Sequence, residues 1–309
     1  MILYEAAIYT NQYMPGQKLY NDLTDFEKSV IDIPHVLESY HYIHKQKYVD
    51  EIRANNDTIF LDSGAFSAHT LGFDIPVWKY CEYVKRNIDI VKVEDGILLA
   101  SVLDGIGDAL QTYKNQLEME ARGVKPLPCF HAGEDEKYLE WYIKNYEYIT
   151  LGGLVARGGK HQLIMWLDHI WSKYLTDGSG RAKLKVHGFG ITSNDIIKRY
   201  PWHSCDSSTW IQATSFGNIM TPTHGLICMS STSPTRHIKG QHVINISEME
   251  RELILNEVEK LGFECERLAT VYQARAAYNL WSFKQIGIAI DKLQAANDYK
   301  MIFKKEGLF

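Results

Sequence analysis

No C-x-x-C pair occurs among the five cysteines of this 309-residue chain, Cys81, Cys129, Cys205, Cys228 and Cys265. Their odd number and wide spacing argue against a disulfide framework and against a compact zinc knuckle. No apolar run approaches the roughly 18 residues of a membrane-spanning helix. The start, Met1-Ile2-Leu3-Tyr4-Glu5, lacks the basic region and long apolar core of a signal peptide. Positive charge is not in excess either: 38 Asp and Glu face 33 Lys and Arg, a formal net charge of -5. A nucleic-acid binder is more often basic overall, so any such surface here has to be a local patch. A reduced, cytoplasmic protein without membrane contact is what these absences leave. Metal ligation by His131 and His187 is a rival reading, but they lack the H-x-H or H-x3-H spacing of a convincing site, so no bound metal is expected.

What is abundant is aromatic. With 19 Tyr and 7 Trp, 12 % of the chain is Phe, Trp or Tyr, which suits a base-stacking surface and equally a Tyr-rich core. The most informative stretch is Thr58-Ile59-Phe60-Leu61-Asp62-Ser63-Gly64-Ala65-Phe66-Ser67. An apolar strand here delivers an acid and then turns on small residues. Asp62 alone reads as a cap of that turn or as a carboxylate presented to a cleft, because burying it without either use costs free energy.

The same pattern recurs along the chain. Short strands are expected at Ala6 to Thr10 and around Val30 to Ile33, followed by a helix over Tyr40 to Tyr48. Asp74 and Pro76 open a helix that faces Val77, Trp78, Cys81 and Val84 inward. Gly96 to Asp104 is again an apolar strand ending on an acid. Asp108 caps a helix whose face is Leu110, Tyr113 and Leu117, ended by Gly123. Strands at Pro126 to Phe130, Tyr148 to Leu151, Leu184 to Gly188, Trp202 to Asp206 and Gly225 to Met229 alternate with further helices, one of them capped by Thr192 or Ser193. About eight strands separated by helices in 309 residues argue for a parallel α/β sheet closed into a (β/α)8 (TIM) barrel. An open doubly wound sheet is the competitor, but no G-x-G-x-x-G follows the first strand. From Ser247, which forms a capping-box pattern with Glu250, the texture is helical only. The expected organisation is a barrel over residues 1–246 and a C-terminal layer of helices over 247–309 packed on it. Lys300, Lys304 and Lys305 near the end read as a solvated basic tail.

In a parallel barrel the C-terminal strand ends share one mouth. Placed there are Asp62, Asp104, His131, Gly152 and Gly153, His187 and Gly188, and Asp206. Three acids on one rim exceed what capping requires. Two carboxylates facing a sugar carbon can cleave a glycosidic bond, one attacking or stabilising and one moving protons. A third can accept from the N–H edge of a purine, and bare backbone at Gly152 and Gly153 can approach a flat ring closely.

Asp62-Ser63-Gly64-Ala65-Phe66 resembles the D-S-G-G-F signature of the tRNA-guanine transglycosylase superfamily. The later elements follow in that family's order: the strand ending at Asp104, then Gly152-Gly153-Leu154, then His187-Gly188-Phe189-Gly190, then the strand ending at Asp206. The likeness covers roughly residues 58–210 and is closest to the compact branch that inserts 7-deazaguanines into DNA, found in phages and bacterial DNA-modification systems. The resemblance implies a pentosyltransferase of the guanine transglycosylase type, which exchanges guanine in DNA for a 7-deazaguanine of the preQ0 type, with no cofactor. By motif, Asp206 would attack C1′ to form a glycosyl-aspartate, and Asp62 would be the general acid and base. Asp104 would recognise the base, with Ser63, Gly64, Phe66, His131, Gly152, Gly153, Leu154, His187 and Gly188 around the ligand. Phe66, Phe189 or Trp210 could sandwich an extruded base, although each also reads as core. The expected partners are DNA, or tRNA in the alternative, and the free base; a homodimer is left open, and the compartment is the host cytoplasm if the source is a phage.

The chain also departs from that pattern. The C-x-C-x2-C…H zinc site of the tRNA enzymes has no counterpart, which argues against a standard tRNA enzyme, and Asp206 lacks a second acid beside it. A glutamine of the tRNA family lies near the slot held here by His131-Ala132-Gly133. Arg236 and Lys239 in a basic loop are candidate phosphate contacts, or simply solvated. A nucleoside or glycoside hydrolase using the same two acids, and a purine- or nucleic-acid-binding subunit without turnover, remain as alternatives.

Overall fold

Residues 1–154, 159–191 and 193–302 are described by a computed structural model. Its strands in chain order are β1 (Ile2–Ala6), β2 (Val36–Ser39), β3 (Ile59–Asp62), β4 (Val93–Glu94), β5 (Ile97–Leu98), β6 (Cys129–His131), β7 (Tyr148–Gly152), β8 (Lys185–Gly188), β9 (Ser204–Ser207), β10 (Asn218–Thr221) and β11 (Gly225–Cys228). Seven of them form one sheet in the order β3-β2-β1-β9-β8-β7-β6. Every pairing in it is parallel. The intervening segments carry helices, as parallel strands require of their crossovers. Beside β3, the segment after β5 makes two further sets of bonds. Leu61 N–H donates to Leu99 O and Ser101 N–H to Leu61 O, while Leu127 N–H donates to Ala100 O and Val102 N–H to Leu127 O, all at 2.8–2.9 Å.

Contacts divide the chain into two compact units. The first comprises residues 1–10, 35–207 and 290–309, and the second 11–34 and 208–289. In the first, the period-2 alternation of the strands points one set of side chains to a shared core: Tyr4, Ala6, Leu37, Phe60, Leu99, Leu127 and Tyr148. Because the register aligns Tyr4 with Asp206, Ser39 with Asp62, and His187 with both Thr150 and Ser204, these polar residues fall on the same face as that apolar layer. The second unit holds the antiparallel β10–β11 ribbon and the helices Asp25–Val30, Thr209–Ser215, Glu248–Lys260 and Cys265–Thr270. Thr24 caps the first of these with a full capping box, and Arg267 clamps its Glu27 with two bonds of 2.8 Å.

Several expected elements lie elsewhere. The first strand is Ile2–Ala6, before a turn rather than continuing to Thr10, and the second is Val36–Ser39 rather than Val30–Ile33, which lies before Pro34. Gly225–Cys228 pairs antiparallel with Asn218–Thr221 instead of joining the parallel sheet. Asp74 does not cap its helix: Pro76 occupies the N-cap, and Trp78 is exposed while Tyr80 and Tyr83 join Cys81 and Val84 inside. Asp108 does cap its helix, accepting from Gln111 N–H at 3.0 Å. However, Leu110 and Leu117 face outward, and Thr112, Asn115, Gln116 and Met119 are buried. That inversion is possible because the inner amide N–H groups find acceptors, although Gln116 Oε1 is buried without a partner. Asn115 donates to Leu103 O at 2.6 Å, and Gln116 donates to Pro126 O and to Tyr146 Oη at 3.1 Å.

Ser193 stands at the N-cap of Asn194–Arg199 without a side-chain bond; Thr192, Lys304 and Lys305 lie outside the described residues. Ser247 accepts from Glu250 N–H at 3.2 Å as its spacing implies. After Cys265–Thr270, one helix runs from Tyr272 to Ala296. Among the described residues no helix is long and apolar enough to cross a membrane.

Candidate active site

Asp62 is the last residue of β3, and the chain reverses immediately after it. Gly64 has φ +72°, and a Cβ there would stand 2.4 Å from Ser39 Oγ and 2.5 Å from His41 Cβ, so only glycine makes this turn. Its N–H donates to Asp62 Oδ2 at 2.9 Å, which is the turn-capping use expected of an Asp in D-S-G. The other oxygen has a different neighbour: Ser101 Oγ stands 3.4 Å from Oδ1 and accepts from Ser63 N–H at 2.8 Å. Tyr80 supports the same strand by donating its hydroxyl to Ser101 O at 3.1 Å. Burial, reinforced by the charges of Asp104 and Asp206, pushes the Asp62 carboxyl up to about 7. Asp62 at the end of β3, Asp206 on β9 and Asp104 in the loop before the Ala109–Ala121 helix are therefore coupled electrostatically.

Asp206 is buried on β9. Gly190 N–H donates to its Oδ1 at 2.8 Å, and His187 Nε2 lies 3.3 Å from the same atom. Both contacts are to one oxygen, Oδ1. The ring of His187 is fully buried and fixed from behind, Nδ1 standing 2.7 Å from Ser204 Oγ, which itself lies 2.6 Å from Tyr148 Oη. Three side chains on β7, β8 and β9, Tyr148, His187 and Ser204, thus form one relay behind this carboxylate. Gly188 is packed so that a Cβ would meet Ile191 Cδ1 at 2.3 Å, so it serves packing in this unit.

On the other side of the site, Cys129 and His131 project from β6 on one face, as i and i+2 do on a strand. Glu134 holds His131 at ring and backbone: Oε1 lies 3.1 Å from Nδ1, and Oε2 accepts the His131 backbone N–H at 2.9 Å. Nε2 is 3.6 Å from Asp104 Oδ2 and 3.6 Å from Cys129 Sγ. Burial works against a charge on the ring, but Cys129 and Asp104 favour one and prevail, so its pKa is raised. Burial, with the Asp104 charge, pushes the Cys129 thiol up to about 11. Asp104 Oδ1 is buried and has no hydrogen-bond partner. Gly152 ends β7 against this group, and the exposed Gly153, at φ +68°, leads to the buried Leu154.

No protein-family model matches the chain, and no curated protein matches it. What the site can do is therefore read from its chemistry.

The expected residues Asp62, Ser63, Gly64, Asp104, His131, Gly152, Gly153, Leu154, His187, Gly188 and Asp206 all belong to the first unit, at or just beyond the C-terminal ends of its strands. Arg236 and Lys239 are exposed in the second unit. Trp210 also belongs to that unit and is core, edge-on to Tyr13. Phe189 packs on Phe60 and His187 and likewise belongs to a core. Phe66 is 68 % exposed. Three groups escaped sequence reading: Ser101 and Glu134, which position the acids and the imidazole, and an outward aromatic cluster. In that cluster His41, which touches the missing Cβ of Gly64, lies 4.9 Å from Tyr42 and 6.0 Å from Phe73. Cys129-Phe130-His131 did carry a signal, a C-x-H pair on a predicted strand.

Proposed function

We propose that this chain is a base-exchange transglycosylase that replaces guanine in DNA by a 7-deazaguanine. The observation that carries this reading is Asp62. Its carboxyl, pushed up to about 7, sits in one electrostatic site with the aimed carboxylate of Asp206. One acid that exchanges a proton near neutrality and one held ready to attack are the two groups that glycosyl transfer through a covalent intermediate needs. Oδ2 of Asp206 attacks C1′ as the bond from C1′ to the base breaks, and Asp62 gives its proton to the departing guanine. The incoming base then returns a proton to Asp62 as its nitrogen attacks C1′ and frees Asp206. Asp104 Oδ1 accepts from the N–H edge of the base, and the backbone at Gly152, Gly153 and Leu154 lies along the ring.

The order of motifs shared with the tRNA-guanine transglycosylase superfamily supports the same reading. The lack of that family's cysteine-rich motif favours DNA over tRNA. The exposed Phe66, Tyr42 and Phe73, with the half-buried His41, offer rings on which an extruded nucleotide or a displaced strand can stack. Support for an eight-membered (β/α)8 ring comes from residues 99–102, whose bonds to Leu61 on one side and Leu127 on the other supply a member between β3 and β6.

The test is uptake of a labelled 7-deazaguanine into DNA by the purified protein, with tRNA assayed alongside. Uptake is expected to vanish in Asp206→Ala and Asp62→Ala; uptake unchanged in both variants would sink the assignment. Guanine release from a free nucleoside without any nucleic acid would replace it with a hydrolase.

A further inference from the structure

The gap between Asp104, Cys129 and His131 is not explained by base exchange. A carboxylate oxygen, a sulfur and a ring nitrogen lie there within 4.8 Å of one another, the one such group among the described residues. The separation of Asp104 Oδ2 from His131 Nε2, 3.6 Å, exceeds a hydrogen bond. The imidazole is oriented through its far nitrogen: with Nδ1 donating to Glu134, a neutral ring turns its Nε2 lone pair toward the carboxylate and the sulfur. Three electron-rich atoms facing one another call for a cation between them.

The spacing suits a metal. Bonds of about 2.3 Å to sulfur and about 2.0–2.2 Å to nitrogen and oxygen, at tetrahedral angles, set donor atoms roughly 3.3–3.6 Å apart. A carboxylate on the far nitrogen is also the usual support of a metal-bound histidine. Two features of the group's own residues agree with a bound ligand. Asp104 Oδ1 is a buried oxygen without a partner. Gly152 presses so close that a Cβ would stand 2.5 Å from His131 Cδ2 and 3.0 Å from Cys129 Sγ, which leaves the gap to something other than side chain.

We propose that Asp104 Oδ2, Cys129 Sγ and His131 Nε2 bind a divalent cation of the zinc type, with a fourth position for water or for the ligand of the adjoining site. On binding, Cys129 releases its thiol proton and His131 the second proton of its ring, both to solvent, and the thiolate and carboxylate together balance the charge of the ion. Asp104 Oδ1 keeps its acceptor capacity. The proposal does not depend on transglycosylation, since metal binding without turnover would leave it standing.

The test is titration of the full-length, chelator-treated protein with Co2+, read by the thiolate-to-cobalt band in the near ultraviolet. One ion per chain with that band is expected, competed away by Zn2+. Cys129→Ser should lose the band, Cys265→Ser should keep it, and Glu134→Gln should weaken binding roughly tenfold or more. A wild-type protein without the band, or a band that survives Cys129→Ser, overturns the proposal and leaves a proton on His131 as the cation. If Cys129→Ser does not fold, Glu134→Gln decides: affinity equal to wild type counts against the site.

Discussion

Replacing Asp62 by asparagine should make the protein more stable and inactive, and the gain in stability should depend on pH in a calculable way. The Asp62 carboxyl moves from an ordinary 3.8 to about 7 because folding buries it beside Asp104 and Asp206. The native state therefore holds a proton that the unfolded chain releases. The stability this proton provides is complete below about pH 4. It is lost progressively as pH rises to about 7, above which both states are ionised and the native one carries the repulsion. At about 1.36 kcal/mol per tenfold change in proton affinity, the loss is roughly 4 kcal/mol, and about 2–4 kcal/mol once partial access of water is allowed for. The side-chain amide introduced by Asp62→Asn has no charge to repel, keeps a carbonyl for Gly64 N–H and can donate to Ser101 Oγ. The Asp62→Asn minus wild-type difference should then be near zero at pH 4, climb to pH 7 and level off, reaching roughly 5–15 °C in Tm.

Buried Glu38, also pushed up to about 7, adds a wild-type slope of the same sign, but it is present in both proteins and cancels in the difference. Thermal unfolding at four pH values between 4 and 8.5, in chelator so that Asp104 keeps its charge, is sufficient. A difference that stays flat across that range would refute the electrostatic account of the site. A stabilised, inactive variant is what a strained functional carboxylate predicts.

Other expectations follow from single contacts. Gly64→Ala places a Cβ about 2.5 Å from Ser39 and His41 at φ +72° and should cost roughly 2 kcal/mol or more in denaturant unfolding while removing activity; wild-type stability would contradict the turn. Glu38→Ala removes the acceptor of Tyr9 N–H, Thr10 N–H and Thr10 Oγ1, and a loss of roughly 2–4 kcal/mol in urea is expected. Phe73, 65 % exposed, should change stability by less than about 0.5 kcal/mol when replaced by alanine. The same change should weaken single-stranded DNA binding about tenfold in anisotropy titrations if it is a stacking ring; equal affinity would remove it from the proposed surface.

The alternation of strands and amphipathic helices was legible because the parallel strands are buried on both faces and most of them open on apolar residues. That is why Asp62 and Asp206 could be placed on strand ends from sequence. Gly225–Cys228 has the same local texture and was misplaced, since what decides between a ladder in the main sheet and an antiparallel ribbon is the partner strand, Asn218–Thr221, and no residue of Gly225–Cys228 encodes that choice. The helix after Asp108 was read inside out for a related reason. Its leucines outrank Asn115 and Gln116 on any hydropathy scale, but the amide N–H groups of the inner pair find Leu103 O, Pro126 O and Tyr146 Oη, and donors matched in this way can be buried.

The Asp104, Cys129 and His131 group escaped for a third reason. Metal-site spacing rules describe donors from one turn or loop, whereas here two donors come from β6 and the third from a loop 25 residues before Cys129. Only parallel pairing beside Leu127 brings them together, so the site is a property of sheet order. The same holds for the acids. Each was visible as a strand end, but the shift of Asp62 to about 7 needs Asp104 and Asp206 close by, and that proximity is set by which strands adjoin. Composition and spacing can therefore nominate the groups that do chemistry, while their protonation is written in the sheet topology, where a variant such as Asp62→Asn can be used to measure it.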